Sequence, residues 1–153
     1  RAVCDTNMIS GWSEPYTLTV DLPYWTDIVT TQPAGYVEDA NGNVEIYSAE
    51  GLAWLAVITN GFHNQQQSSL EGKTVTVKSD INIEGYRWYP IGMFSGLFDG
   101  NNHRVSNIYM NDNIGGLFGL VYMGSVKNVH LDGGIIICGS GGGLINNAEN
   151  CND

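Results

Sequence analysis

The sequence predicts a mainly β protein in which successive turns of the chain stack along a common axis. Two observations carry this prediction: a repeat of about twenty residues, and short runs of apolar residues spaced two apart. Residues 96–98 (Gly-Leu-Phe) recur at 116–118, a shift of 20, and the Val-x-Asn pattern that begins at 105 recurs at 126, a shift of 21. A cruder third copy occupies 142–151. One such unit is too small to bury its apolar face alone, so we expect stacked turns of about 20–22 residues.

The apolar pattern changes phase at an asparagine within each copy. Val105 and Asn107 share one parity, whereas Ile108 belongs to the other. In a flat strand, a slip of one residue would move the apolar side chains to the opposite face, so the chain has to bend at this point. Asparagine tolerates the unusual backbone angles of a bend. We therefore predict a ladder of stacked corner residues made of Asp80, Asn107, Asn128 and Asn150.

The segment ahead of the repeats predicts a hairpin and one helix. Asn41-Gly42 lies between two strand-like runs, which is a strong signal for a tight turn. Residues 48–61 predict a helix, because Ser48 can cap its amino end and Gly61 follows its last turn. The helix is apolar on most sides, so we expect it to be buried as a cap on the first layer. The predicted organisation is a β-rich capping segment at 1–47, the capping helix at 48–61 and the repeats at 70–153, in one domain.

Composition and charge exclude several classes of partner. The 153 residues contain 16 acids and 6 bases, for a net charge of -10. Binding to nucleic acid or to anionic lipid requires patches of Lys and Arg, so neither partner is expected. A membrane span is not expected either, because the sequence has no apolar run of about eighteen residues. Three cysteines leave one unpaired in any scheme, and the pairing of Cys4, Cys138 and Cys151 stays open.

The ordered series of motifs resembles the GLUG-motif surface proteins of gut Bacteroidetes and related bacteria. The matching residues are Gly-Leu-Phe-Gly at 116–119 and Val-Lys-Asn-Val at 126–129. The predicted helix and the Trp-Tyr-Pro-Ile-Gly string at 88–92 match the usual lead-in, and the resemblance covers roughly residues 44–151. It implies a short right-handed parallel β-helix that is secreted or displayed at the cell surface. It implies no settled activity.

These features favour a non-enzymatic exported module for adhesion, glycan binding or structural presentation. The alternative is a carbohydrate-active enzyme, either a polysaccharide lyase or a glycoside hydrolase, on the same coil. Glycoside hydrolysis needs two carboxyl groups across one bond. The candidate carboxylates are Asp99, Asp112 and Asp132, and each reads as a turn residue.

Binding candidates come from aromatic and basic side chains. Trp88 and Tyr89 belong to an aromatic cluster for which we expect packing rather than exposure. Arg104 and Lys127 are expected to approach each other on adjacent layers, where two bases would hold an acidic group. The full set of binding candidates is Tyr86, Tyr109, Tyr122, Arg104 and Lys127.

We expect no cofactor or metal. The sequence gives only weak grounds for a calcium site. The string from Asp39 to Asn43 begins like a calcium loop, but it lacks the downstream glutamate, and a hairpin turn explains it better. The expected partners are a glycan or a host or cell-surface protein. No capping segment follows the third copy, so we expect either a fragment of a longer protein, which we favour, or self-association through the uncapped carboxyl end.

Overall fold

The computed structural model describes residues 21–151, and in this range the protein is mainly β with largely parallel sheets. Cys4 and the other residues of the capping segment before position 21 lie outside the described range. The helices are α1 (Trp25–Ile28) and α2 (Ala49–Asn60). The strands are β1 (Tyr36–Glu38), β2 (Val44–Ile46), β3 (Thr74–Val77), β4 (Ile81–Asn82), β5 (Ile91–Phe94), β6 (Leu97–Asp99), β7 (Arg104–Gly115), β8 (Phe118–Tyr122), β9 (Ser125–Lys127), β10 (His130–Gly141) and β11 (Ile145–Glu149).

The chain passes through three sheets in the same order three times. The first sheet has the order β1-β2-β3-β6-β9, the second β10-β7-β4 and the third β11-β8-β5. The hairpin β1–β2 is antiparallel, and the other strand pairs are parallel. Side chains that alternate along each strand therefore face either a shared interior or the solvent.

The strand register corrects the predicted length of one circuit. Val75 pairs with Phe98, a shift of 23, and Phe98 pairs with Val126, a shift of 28. The predicted spacing of 20–22 residues is therefore wrong as a stacking distance. Phe98 and Phe118, which the repeat aligns, lie in the first and third sheets, in β6 and β8. We call the three circuits together the coil and each of its three sheets a side. The short pattern recurs because the chain makes a similar bend, followed by an inward apolar residue, on more than one side.

The interior is packed with aromatic and β-branched side chains. Phe94, Phe98 and Phe118 are fully buried, and their ring centroids lie 5.1 to 6.3 Å apart. Burying each such ring stabilises the fold by about 1.5–3 kcal/mol. Trp88 is also fully buried, and its indole N–H donates to the carbonyl of Leu117 at 3.2 Å. The interior therefore ties the third sheet to the first.

Three elements cover the amino end of the coil, one on each sheet. The predicted hairpin is confirmed, and it extends the first sheet beyond β3. Trp25 of α1 is buried beside the second sheet, where its indole N–H donates to the carbonyl of Ile83 at 2.8 Å. Helix α2 packs against β5 of the third sheet and buries Leu52 and Leu55 completely. The predicted helix is confirmed, with Ser48 as its amino cap and a left-handed glycine as its carboxyl cap.

The predicted asparagine corners have the expected backbone but not the expected stacking. Asn107, Asn128 and Asn150 have φ values of 59°, 53° and 53°, in the left-handed region. In the register of β7 with β10, however, the residue beside Asn107 is Gly133, which has a φ of 68°. Asn128 follows β9 in the first sheet, and Asn150 follows β11 in the third. The three asparagines thus lie at bends on different sides of the coil.

The amide contacts at these bends replace the predicted single ladder. The side-chain amide of Asn107 donates to Asn82 at 3.0 Å, and that of Asn128 donates to Asp99 at 3.0 Å. Asp80 is absent from the positive-φ residues of the described range. Its carboxylate instead accepts from the backbone N–H of Arg104 at 3.1 Å. Contacts between one circuit and the next therefore hold the chain at Asp80, Asn107 and Asn128.

The carboxyl end of the coil is open within residues 21–151. Strands β9, β10 and β11 are the outermost strands of their sheets at this end. Ile135, Ile136 and Ile137 of β10 are 58%, 36% and 57% exposed. No helix in the described range is long and apolar enough to cross a membrane.

Candidate functional site

An exposed tyrosine separates two pockets on the outer surface of the protein. Tyr89 follows the buried Trp88, and this alternation turns its ring outward, where it is 36% exposed. Its ring packs edge to face against Tyr24 and Phe62, with centroids 5.5 and 5.2 Å away. Such T-shaped contacts suit the positive edge and negative face of aromatic rings. Tyr89 is therefore held firmly while part of its ring stays accessible.

The two pockets share Tyr89 as a common wall. The first has a volume of about 300 Å³, and the second about 330 Å³. Both volumes fall at the lower end of the range of about 300–1,000 Å³ that is usual for small-molecule sites. We call the two together the Tyr89 groove. Its first pocket is lined by Asn60, Tyr89, Gly92, Asp112, Asn113 and Gly119, and its second by Tyr24, Thr26, Asp27, Phe62, His63 and Tyr89.

Two glycines from neighbouring strands line the first pocket side by side. Gly92 of β5 and Gly119 of β8 are adjacent in the register, because the residues on either side of each are paired. Neither has a positive φ. Since glycine has no side chain, the floor of the pocket at Gly119 is formed by backbone, while the end of helix α2 lies against Gly92.

A carboxylate on one wall of the groove is fixed by a half-buried hydrogen-bonding partner. The Tyr24 hydroxyl lies 2.7 and 2.8 Å from the two carboxylate oxygens of Asp112 and donates to them. Burial, followed by this hydrogen bond, raises the pKa of Tyr24 to about 12. The guanidinium of Arg87 lies 4.1 Å from the centre of the Tyr24 ring and pairs with Asp21 at 3.0 Å. Asp112 therefore presents oriented acceptor oxygens to the groove.

Amide groups supply the remaining polar atoms of the first pocket. Asn60 donates both of its amide hydrogens, to Ala56 at 2.8 Å and to Pro90 at 2.9 Å, which leaves its oxygen as an acceptor. Asn113 is exposed beside Asp112. The pocket thus combines an aromatic wall, a flat floor and polar atoms that both donate and accept. Such an arrangement suits a ligand with many hydroxyl groups.

The tyrosines that were predicted from the sequence to bind lie outside the Tyr89 groove. Tyr86 is half-buried against the ring of Trp25, with centroids 4.9 Å apart. Tyr109 and Tyr122 are half-buried, in β7 and β8 respectively. Tyr109 borders a different depression, together with Gly134. Tyr86 packs against Trp25, and the ring that lines both pockets of the groove is that of Tyr89, for which the sequence predicted packing.

The predicted pair of basic residues does not form. Lys127 is opposite Asp99 in the register, whereas Arg104 is opposite His130. Lys127 pairs with Asp99 at 3.3 Å, and Arg104 pairs with Asp132 at 3.1 Å. The prediction was wrong because it assumed the shorter circuit.

Two of the candidate carboxylates therefore take part in structural contacts. Hydrogen bonds from the Asn128 amide and the Asn101 backbone N–H lower the pKa of Asp99. Asp132 is the ion-pair partner of Arg104. Of the three carboxylates considered from the sequence, Asp112 is the one in the Tyr89 groove.

The loop that resembles the start of a calcium site forms the hairpin turn. The Asp39 carboxylate accepts from the backbone N–H groups of Asn41 and Asn43 at 2.8 and 2.9 Å, and these contacts lower its pKa. Among the residues that the structure describes, no group of three or more His, Cys, Asp or Glu side chains could hold a metal ion. Cys138 and Cys151 are both free thiols.

The Tyr89 groove was overlooked in the sequence because its parts are distant along the chain. Tyr24 and Asp112 are separated by 88 positions. One local signal did exist, since an outward residue is expected directly after an inward tryptophan in an extended segment. No family model, no curated protein and no solved structure matches the chain.

Proposed function

We propose that this chain is an exported cell-surface module that binds glycans without cleaving them, on a right-handed parallel β-helix. The proposal includes adhesion and structural presentation as the wider roles that such binding serves. Export and display at the cell surface are proposed because the sequence resembles GLUG-motif surface proteins. The expected partner is therefore a glycan on a cell or a host surface.

The repeated passage through three parallel sheets supports the β-helix. Strands β3, β4 and β5 form the first circuit through the three sheets, and each later circuit adds one parallel strand to each sheet in the same order. Crossovers between parallel strands of one sheet are right-handed in about 98% of cases. A coil of this kind provides a rigid surface, while the bends between strands carry the recognition.

The observation that carries the proposed function is the exposed ring of Tyr89 between two pockets with polar walls. The apolar face of a sugar ring packs on an aromatic side chain, and its hydroxyl groups hydrogen-bond to carboxylate and amide groups. The first pocket offers the carboxylate of Asp112 and the amides of Asn60 and Asn113. The second pocket continues the groove with Tyr24 and Asp27, so two adjacent sugar units fit the arrangement.

A glycan array followed by calorimetry on the best ligand tests this function. We expect Tyr89→Ala to weaken binding by roughly two- to tenfold, since an aromatic contact contributes about 0.5–1.5 kcal/mol. Tyr47→Ala is the matched control, because Tyr47 is 45% exposed on another face. Failure of the unaltered protein to bind any glycan, or equal affinity in the Tyr89 variant, would contradict the proposal.

A carbohydrate-active enzyme stays the alternative, and Asp112 is the observation that favours it. Asp112 lines one pocket and Asp27 lines the adjoining one, so the groove contains two carboxylates. Two such groups are the minimum for glycoside hydrolysis. Incubation with a panel of polysaccharides, with product analysis, distinguishes the two functions. Turnover that disappears in Asp112→Asn would establish the enzyme.

A further inference from the structure

We infer that Gly119 determines which ligand the Tyr89 groove accepts, a pyranose ring without acidic groups that lies flat on the backbone floor of the first pocket. This inference rests on the proposed function and specifies its ligand. It assigns a role in recognition to a residue that has no side chain.

The fold does not require a glycine at position 119. Its φ is not positive, so an L side chain is compatible with the backbone. A Cβ atom at this position would lie 3.4 Å from the Ile91 carbonyl oxygen and from the Cβ of Pro90, which is ordinary van der Waals contact. Folding therefore leaves the absence of a side chain at Gly119 unexplained.

The neighbouring glycine shows the opposite behaviour. A Cβ atom on Gly92 would lie 2.7 Å from the Thr59 carbonyl oxygen and from the side-chain oxygen of Asn60. Real Cβ atoms essentially never come so close, so Gly92 is needed for the close approach of helix α2 to β5. Gly119 differs from Gly92 because helix packing does not require it. The absence of a side chain at Gly119 keeps the floor of the pocket open.

A flat ring on this floor meets complementary groups on both sides. Tyr89 lies on one side, and Asp112 and Asn113 border the same pocket. An ionised carboxylate only accepts hydrogen bonds, so Asp112 is suited to two neighbouring hydroxyl groups, one for each oxygen. Because Tyr24 already orients both oxygens, little conformational entropy is lost when a ligand binds.

The charges of the groove favour a neutral sugar over an acidic one. Asp112 and Asp27 contribute negative charge, and the chain as a whole carries a net charge of -10. The nearby guanidinium of Arg87 is paired with Asp21 and stacked on Tyr24. A uronate or a sulfated sugar would be repelled by the carboxylates. The same carboxylates would attract a cationic amino sugar, so the charges specify a sugar without acidic groups.

The test measures binding of three soluble probes by calorimetry: neutral gluco- or manno-oligosaccharides, oligogalacturonate and chitosan oligosaccharide. We expect the neutral probe and the chitosan oligosaccharide to bind and oligogalacturonate not to bind. Gly119→Leu should weaken this binding by tenfold or more, and Gly119→Ala by less, while the melting temperature of both variants stays close to that of the unaltered protein. Gly143→Leu is the control, because a Cβ atom there meets only distant side-chain atoms, at 3.8 Å or more, and φ is not positive.

The outcomes distinguish this inference from the function on which it rests. If Tyr89→Ala weakens binding and Gly119→Leu does not, the assignment of Gly119 is overturned and the proposed function stands. Binding of the uronate as tightly as the neutral probe overturns the assignment of a ligand without acidic groups. If the unaltered protein binds none of the probes or the array glycans, the proposed function and the inference both fail.

Discussion

The hydroxyl group of Tyr24 donates to both carboxylate oxygens of Asp112, which lies 88 positions later in the sequence. This contact joins the segment before α1 to the middle of strand β7. It also orients the one carboxylate of the first pocket. The same pair of residues therefore stabilises the cover at the amino end and prepares the groove for a ligand.

Replacing Tyr24 by phenylalanine should weaken both functions of this contact. Tyr24→Phe keeps the aromatic packing against Tyr89 and removes only the hydroxyl group. We expect the free energy of unfolding to fall by about 0.5–1.5 kcal/mol, as for the loss of one hydrogen bond. Glycan affinity should fall several-fold, because Asp112 is no longer oriented. Urea denaturation and calorimetry measure the two effects.

Tyr47→Phe is the matched control for this variant. The Tyr47 hydroxyl also donates to a carboxylate, that of Glu45 at 2.6 Å, but on an exposed surface away from the groove. We expect little change in stability and unchanged affinity, since water replaces an exposed partner. If the two variants behave alike in binding, the orienting role of Tyr24 is wrong.

The left-handed backbone conformation of Asn107 predicts how substitutions at this position change the free energy of unfolding. Asn107→Ala places an ordinary side chain at a φ of 59° and should cost about 1–2 kcal/mol. Asn107→Gly also loses the amide contact with Asn82 but relieves the backbone strain, so it should be the less destabilising change. Urea denaturation of the two variants measures the difference. Greater stability of the alanine variant would show that the bend is not maintained in solution.

The local elements were predictable because their signals lie close together in the sequence. The helix was correctly predicted from Ser48 and Gly61, which lie just outside its ends. The hairpin followed from Asn41-Gly42, and each predicted asparagine does have a positive φ. All three features depend on a residue and its near neighbours, so no knowledge of the tertiary structure was needed.

The register was not predictable, because the repeat marks a side of the coil rather than a full circuit. Phe98 and Phe118 occupy equivalent places in the repeat, yet they belong to different sheets. Their rings meet in the interior, with centroids 5.1 Å apart. Any side that begins at a bend and points a large apolar residue inward gives the same short pattern. Only the hydrogen bonds between strands distinguish a side from a circuit.

The groove escaped prediction for the same reason. Tyr89 became a candidate only when its position between Tyr24, Phe62 and the glycine floor was visible. The tyrosines chosen from the sequence were selected as residue types without knowledge of their exposure. The ring of Tyr86, for example, packs against that of Trp25.

Stability should fall in acid because several carboxylates are hydrogen-bonded in the folded state. Hydrogen bonds from the Arg104 backbone N–H and from His103 lower the pKa of Asp80 below its ordinary value of 3.8, and those from Asn128 and the Asn101 backbone lower that of Asp99. A lowered pKa stabilises the folded state above the unfolded value, and this contribution is lost as the pH falls through the folded value. We therefore expect little change between pH 7 and about 5, and a loss of stability below about 4.

Substitution of both carboxylates tests this origin of the acid sensitivity. The Asp80→Asn and Asp99→Asn double variant should be less stable than the unaltered protein at pH 7 and should lose less stability in acid. Urea denaturation at a series of pH values measures both changes. An acid transition of unaltered size in the double variant would assign the sensitivity to other carboxylates.

The open edge of β10 makes a last prediction, that two copies of the chain associate through their carboxyl ends. Within residues 21–151, the outermost strand of the first sheet at the amino end is β1, of three residues, whereas β10, of twelve residues, is outermost at the other end and offers a longer edge to a second copy. Residues 133–141 of β10 include no charged side chain, and Ile135 and Ile137 are more than half exposed. Two such edges can pair antiparallel about a twofold axis, in which each copy presents the same patch.

The net charge determines how this association should respond to salt. Each copy carries a charge of -10, so repulsion opposes the pairing, and added salt should strengthen it by screening. A lysine on an edge strand blocks pairing with another chain, so Ile135→Lys with Ile137→Lys should give a monomer at every salt concentration. Val37→Lys is the control, because Val37 is also exposed, at 45%, but lies in β1 at the covered end. Sedimentation equilibrium at low and high salt measures the mass, and a monomeric unaltered protein under both conditions would show that the edge does not pair with a second copy.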